Sequence, residues 1–360
     1  MINVIIIDLN YQEIISYLEM IRLCVLLVLL SLFTSCLKKR EVDASFYYWK
    51  TIYDANPVEE SWLDTLKSKR MYIRMMDIDL SENGSMPIPV SPIMFKQKVP
   101  VRRELVPVVY IVNNVLKNRS HKQLDELAAK MIFFVKGKMS QAGKTDIKEL
   151  QIDCDWTKST RDNYFYLLTK LGQKLPNKKC ILSATLRLHQ LKNLITSGVP
   201  PVNRVMLMCY NMGNLRRYGD QNSILEQSEL QKYVGGNIAN YPLPVDVGLP
   251  LFSWAVAFRQ KKYVGIAKKV TEVVLNDTTL FNQIRSNRFF AKKDLPDYGL
   301  VAHDELRWES VPIKQLQAAA VYVAKHLNTN KINIIYFHLD EKLLKNFNYE
   351  DLEKTTAIFR

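Results

Sequence analysis

Eight short apolar runs recur along this chain, and stretches of helical periodicity separate most of them. The runs cover residues 44–49, 71–78, 105–112, 149–156, 180–188, 204–211, 247–256 and 332–339. Between them, apolar residues fall at helical spacing over 58–68, 123–138, 160–175, 190–197 and 313–327. Near-continuous apolar strands are those buried on both faces, so a parallel sheet covered by helices is required. Eight strand–helix units over roughly 300 residues predict an α/β fold, a closed (β/α)8 TIM barrel. Two connections depart from the rhythm. Residues 81–103 hold Pro87, Pro89, Pro92 and Pro100 and should run extended, leaving little helix after strand two. Residues 261–311 form a long insertion after strand seven, on the side where barrels build their binding surfaces.

Polar residues inside these strands mark a site. Inward positions alternate with helix-facing ones. On strand four Gln151, Asp153 and Asp155 share one face and Ile152, Cys154 and Trp156 the other, so the polar face points into the barrel. Strand five repeats the pattern with Ser183, Thr185, Arg187 and His189. Strand eight offers Tyr336, His338 and Asp340 in phase, and strand two offers Arg74. Burying these groups is costly unless they pair or meet a ligand. Arg74 and Arg187 are the expected partners of Asp153 and Asp155. Asp155, nearest the C-terminal end of its strand, is expected to touch ligand, with Asp153 beneath it. Two adjacent carboxylates disfavour double ionisation, so one pKa should rise, against the pull of a nearby Arg. An Arg–Asp network that merely fills the barrel is the alternative.

The N-terminus reads as a targeting segment. Met20-Ile21-Arg22 opens a basic region, residues 23–33 are apolar, and Phe33-Thr34-Ser35-Cys36 resembles a bacterial lipobox with Cys36 as the lipidated residue. The apolar run is short for a membrane span. The expected organisation is a signal peptide over 1–36, a linker over 37–45 and the barrel over 46–360. Met20 is an alternative start, with 1–19 untranslated. This places the protein in the bacterial envelope, anchored to the membrane through Cys36, at the outer membrane facing the periplasm. Cys24 and Cys36 belong to this segment, and Cys154, Cys180 and Cys209 are expected as buried, unpaired core residues. The His residues are too dispersed for a metal site, and no cofactor is implied. The net charge is +14 and the pI about 9.4, but the basic residues are scattered and no nucleic-acid motif is present. A monomer is expected.

Three segments carry a family likeness: Gln151-Ile152-Asp153-Cys154-Asp155-Trp156, Met208-Cys209-Tyr210-Asn211 and Val247-Gly248-Leu249-Pro250-Leu251-Phe252. In this order they resemble the chitinase-like glycoside hydrolases, and the first is similar to a strand shared by a bacterial family of glycosidase-like barrel lipoproteins. The resemblance implies a glycan ligand, with N-acetylhexosamine units. It maps Asp155 onto the Asp that assists the substrate's acetamido group and Tyr210 onto the Tyr that holds it. Asn211 and Trp254 are candidate contacts on the same basis, Trp254 as a platform under a sugar ring, and the inward polar residues Arg74, Arg187, His338 and Gln151 are candidate contacts from their place on the strands. The chain departs from the motif where Leu150 replaces its first Asp, Asn211 the strand-six Asp and Thr157 the proton-donating Glu. Threonine cannot be that acid. Either an acid comes from Asp155, Asp340, Glu305 or Glu309, or the barrel binds a glycan without cutting it. A third reading is a scaffold that meets an envelope partner through its basic face.

Overall fold

The computed structural model describes residues 40–360 apart from Lys178, and residues 16 and 19–22 ahead of them. Cys24, Cys36 and the apolar run 23–33 lie outside the described residues. Among the described residues, no helix is long and apolar enough to cross a membrane.

Eight parallel strands close the barrel: Glu41–Tyr48, Arg70–Leu80, Glu104–Ile111, Glu149–Cys154, Ile181–Arg187, Arg204–Met208, Val245–Pro250 and Lys331–Phe337. Each pairs with the next, and the first pairs with both the eighth and the second. This is the (β/α)8 architecture expected from the apolar rhythm. Strand one starts at Glu41, so residues 41–45, expected as linker, already belong to the barrel.

The outer helices begin where the chain supplies caps. Asn56 accepts from the amides of Val58 and Glu59 ahead of the helix Pro57–Thr65. Ser120 and Gln123 form a capping box ahead of His121–Gln141, which satisfies amides that would otherwise lack partners. The proline-rich stretch after strand two stays extended. Pro87–Val90 pairs antiparallel with the end of strand two, and Met94–Phe95 pairs with Ile52–Tyr53.

Strand seven corrects the sequence reading. The run 247–256 is not one strand: pairing ends at Pro250, and Trp254–Arg259 opens a separate five-stranded antiparallel sheet. Proline offers no amide to continue the ladder. That sheet, the expected insertion, buries its own core of Phe281, Phe289, Leu295 and Leu306. Strand eight is corrected in phase. Tyr336 points outward, its hydroxyl 2.9 Å from Leu352 O and 2.9 Å from Thr356 Oγ1 on the helix Tyr349–Ala357. Asn333 lies inside instead, bonded to Ser45 at 2.8 Å and to the Tyr72 hydroxyl at 3.0 Å. With apolar residues on both faces and only Asn333 to mark the inner one, the polar residues at the strand's end set the wrong phase, and an error of one residue swaps the faces.

Gly248 shows how strand seven shapes the interior. A Cβ there would lie 2.5 Å from Met206 Sδ and 3.2 Å from the Tyr210 ring. Gly248→Val should therefore lower stability by about 1–3 kcal/mol through overpacking. Urea denaturation would show this as a lower midpoint at unchanged slope, and a midpoint equal to wild type would show that Tyr210 has room to move.

Candidate functional site at the C-terminal mouth

Strands four and five build the centre of the site together. Their register sets Gln151 beside Ser183, so the inward side chains of both strands meet in layers. At the base, Ser183 Oγ donates to buried Glu149 at 2.6 Å. One layer up, the Tyr47 hydroxyl donates to Gln151 Oε1. Above that, Thr185 Oγ1 donates to Asp153 Oδ1 at 2.6 Å. At the rim, Arg187 grips Asp155 with Nε on one oxygen and Nη2 on the other, the latter at 2.9 Å. This is the planar two-point contact that guanidinium makes with carboxylate. Asp155 is 40% exposed and Arg187 19%.

Asp153 is buried, and burial is the main force that lifts its pKa to about 6; Arg187 opposes the rise and Asp155 adds to it. Tyr210 stands against the same group. Its ring packs on Phe337 at 5.5 Å and on Phe252 at 6.0 Å. Its hydroxyl is buried with no hydrogen-bond partner among the described residues. Burial raises its pKa well above the usual value, and the charge of Asp153 adds to the rise. Tyr110 lies beside Asp153 in the register of strands three and four, and its pKa is pushed up to about 12 by burial, then by Asp155 and Asp153.

Several expected members stand elsewhere. Arg74 does not hold the strand-four carboxylates. Its Nε and Nη2 each bond Asp77 at 2.6 Å and Nη1 reaches Ser91 O at 3.2 Å. The register shift between Arg74 and Met76 brings a residue three positions on into reach, a contact that simple alternation does not foresee. His338 belongs to a cluster with Lys50 and Asp340; its pKa falls to about 4, mainly through burial, with Asp340 opposing and Lys50 adding, so the ring is neutral near pH 7. Asn211 is exposed, in the left-handed region at φ 54°, where it turns the chain out of strand six. Trp254 opens the insertion sheet, with its ring 5.0 Å from Phe252 and Nε1 donating to Glu309 at 2.9 Å.

None of the alternative carboxylates is a free acid. Glu309 is buried and accepts four bonds: from Ser223 N at 2.8 Å, Ser223 Oγ at 2.5 Å, Trp254 Nε1 at 2.9 Å and Arg307 Nε at 2.6 Å. Glu305 is taken by the Tyr218 hydroxyl at 2.7 Å and by Arg288. Asp340 caps the helix Glu341–Leu344, pairs with Lys50 at 3.2 Å and is held below its usual pKa, since Lys50 outweighs its burial. Thr157 is exposed and spent on a turn: its amide donates to Thr160 Oγ1 at 3.0 Å, leading into the helix Arg161–Lys174.

The sequence reading missed three residues. Tyr47 and Tyr110 stand in inward phase within apolar runs, where an aromatic looks like ordinary core. Phe337 joins them; its ring lies 5.6 Å from Tyr47 and 5.5 Å from Trp49. Alternation counted from Asn333 on strand eight would have placed Phe337 inside. Two grooves of about 640 and 590 Å3, lined in part by Asp43, Lys69 and Glu353 and by Arg70, Glu149 and Cys180, open at the opposite ends of these strands, away from Asp155.

No protein-family model matches the sequence, and no curated protein matches it significantly. Solved structures do match. The spore cortex-lytic enzyme SleL of Bacillus megaterium QM B1551 superposes with a TM-score of 0.50 at 10% identity, over 89% of this chain and 75% of that one. The chain shares the fold of that enzyme. SleL of Bacillus cereus matches with a TM-score of 0.49 at 15% identity, over 89% of this chain and 75% of that one. A chitinase from Bacteroides thetaiotaomicron gives 0.49 at 10% identity, over 88% and 95%. The barrel has a buried polar centre at the C-terminal ends of strands four to six.

The raised carboxylates give the barrel a pH signature. The pKa of Asp153 is about 6 in the fold against an ordinary 3.8, and that of Asp246 about 7 against 3.8, each raised first by burial. These two groups hold more protons in the fold than in the unfolded chain from about pH 4 to 7, and their contribution to stability falls as pH rises through that window; His338, neutral in the fold, acts in the opposite direction between about pH 4 and 6.5. Asp153→Asn removes the contribution of Asp153. The variant should lose less stability than wild type between pH 4 and 7, by on the order of 2–3 kcal/mol. Chemical denaturation across that range measures it, and parallel curves for the two proteins would rule out a raised Asp153.

Proposed function

We propose that the barrel binds an N-acetylhexosamine-containing glycan at its C-terminal mouth without cleaving it. The observation that carries this reading is the fate of the carboxylates at the rim. Asp155 is held by two bonds to Arg187, and Glu305, Glu309 and Asp340 are each engaged by neighbours. Glycoside hydrolysis needs a carboxylic acid that can give its proton to the leaving oxygen, and Thr157 stands where the resemblance implies it. Recognition needs less. Tyr210 offers a buried hydroxyl with no partner, beside Asp153. An acetamido carbonyl that accepted from it would satisfy a group whose burial is otherwise costly. Trp49, Phe252, Trp254 and Phe337 form an adjoining aromatic set that suits the apolar face of a sugar ring.

Hydrolysis is the second reading, and Asp153 favours it: a carboxyl with a pKa near 6 can hold a proton close to neutrality. One pair of assays separates the two. Calorimetric titration with chitin oligosaccharides should show binding, weakened about tenfold or more in Tyr210→Phe by loss of one hydrogen bond in a buried site. Product analysis with the same oligomers should show no cleavage. Turnover that Asp153→Asn or Asp155→Asn abolishes would establish the hydrolase instead.

The same proposal places the protein in the bacterial cell envelope, anchored by lipid on Cys36 at the outer membrane facing the periplasm, a reading supported by the basic start, apolar run and Cys36 of the sequence. Radiolabelled palmitate should enter the wild-type chain in cells and be absent from Cys36→Ala. Equal labelling would refute the anchor.

A further inference from the structure

The insertion sheet carries a feature that the mouth chemistry does not use. Its first hairpin joins Trp254–Arg259 to Lys262–Ile266 through Gln260 and Lys261, at φ 49° and 63°. Two-residue hairpin turns with both φ positive suit the twist of a sheet but favour Asn or Gly. Glutamine and lysine adopt that region at a cost, so their side chains have a reason to be there. The turn puts Lys261 Nζ 5.9 Å from the Tyr218 ring. Arg216, from the loop after strand six, lies 5.7 Å from the Tyr263 ring. Tyr218 and Tyr263 both pack on Phe258, at 5.5 and 6.3 Å. Loop and hairpin thus form one ledge, on which Arg216, Arg217, Lys261 and Lys262 are all exposed.

The charge of the ledge is uncompensated. Asp220 is taken by Arg285 and Arg288, Glu305 by Arg288, and Asp304 by Nε and Nη2 of Arg259. Among the described residues, no ion pair includes Arg216, Arg217, Lys261 or Lys262. The aromatic faces position two of these cations and leave their N–H groups available. The strand that ends at the ledge begins at Trp254, about 17 Å away at the usual rise of a strand. That separation spans several sugar rings.

We infer that the ledge binds acidic substituents, carboxylate or phosphate, on the glycan whose N-acetylhexosamine units occupy the mouth; this rests on the glycan reading above. A neutral polymer would leave the four cations without partners. An acidic one would meet the aromatic mouth and the ledge along a single strand of the insertion.

The test compares hyaluronan oligomers, in which glucuronate alternates with N-acetylglucosamine, with neutral chitin oligomers of equal length. Four exposed ion pairs of ordinary surface strength imply roughly tenfold tighter binding of the acidic oligomer at low salt. The preference should vanish at about 1 M salt, where screening reaches contact range. The combined variant Arg216→Gln, Arg217→Gln, Lys261→Gln and Lys262→Gln should lose the preference and keep the wild-type affinity for chitin oligomers, which also shows that it is folded. Equal affinities in wild type, or a preference that survives in the variant, would overturn the ledge. Acidic binding that depends on the ledge while chitin oligomers fail to bind would overturn the mouth reading and leave the ledge standing. Phosphatidylglycerol vesicles provide the remaining arm: if the variant loses them and keeps the glycan preference, the ledge faces a membrane and the inference falls.

Discussion

The row of carboxylates that strand four turns into the barrel constrains everything around it. Glu149, Asp153 and Asp155 stand on one face with Gln151 between them, and none can be buried without a donor. Strand five supplies donors in the same phase, Ser183, Thr185 and Arg187. A slip of one residue in that pairing would turn the donors outward and strand the acids. Polar matching therefore sets the register that apolar packing alone would leave loose, and it also builds the site.

The same pairing limits the chemistry. Arg187 holds Asp155 through both carboxyl oxygens, which fixes the direction of that side chain at the rim. Asp153, one layer deeper, has its pKa lifted to about 6 because burial outweighs the attraction of Arg187. Tyr210 lies near enough to the deeper one for its charge to raise the tyrosine pKa, and its buried hydroxyl has no hydrogen-bond partner among the described residues. Gly248 makes that approach feasible, since any side chain there would meet the tyrosine ring.

The insertion after strand seven adds a second surface to this centre. Pro250 releases the chain from the barrel, and Trp254 begins a sheet with a core of its own. Glu309 ties the two together, accepting from Trp254 and from Ser223 of the strand-six loop. A carboxylate that looked available for catalysis is thus a structural joint. The basic character that is diffuse in the sequence gathers at Arg216, Arg217, Lys261 and Lys262 because their acidic neighbours are already paired.

The barrel was legible in the sequence because strands buried on both faces and helices with one apolar stripe have distinct periodicities. The strand-four and strand-five partners were legible too, since polar residues at every second position of an apolar run have only one place to go. Strand eight was not, because apolar residues occupy both of its faces and the single polar residue between Ile332 and Ile335, Asn333, is out of phase with Tyr336, His338 and Asp340 beyond it. Arg74 was not, because a bulge changes which residue lies within its reach. Tyr47, Tyr110 and Phe337 could not be told from core, since an aromatic reads the same against a helix or a ligand. Local order of residues thus determined the elements, their alternation and the face that carries charge. Only the tertiary structure decided which charges meet, because hydrogen bonds and ion pairs act over a few ångströms between residues far apart in the chain.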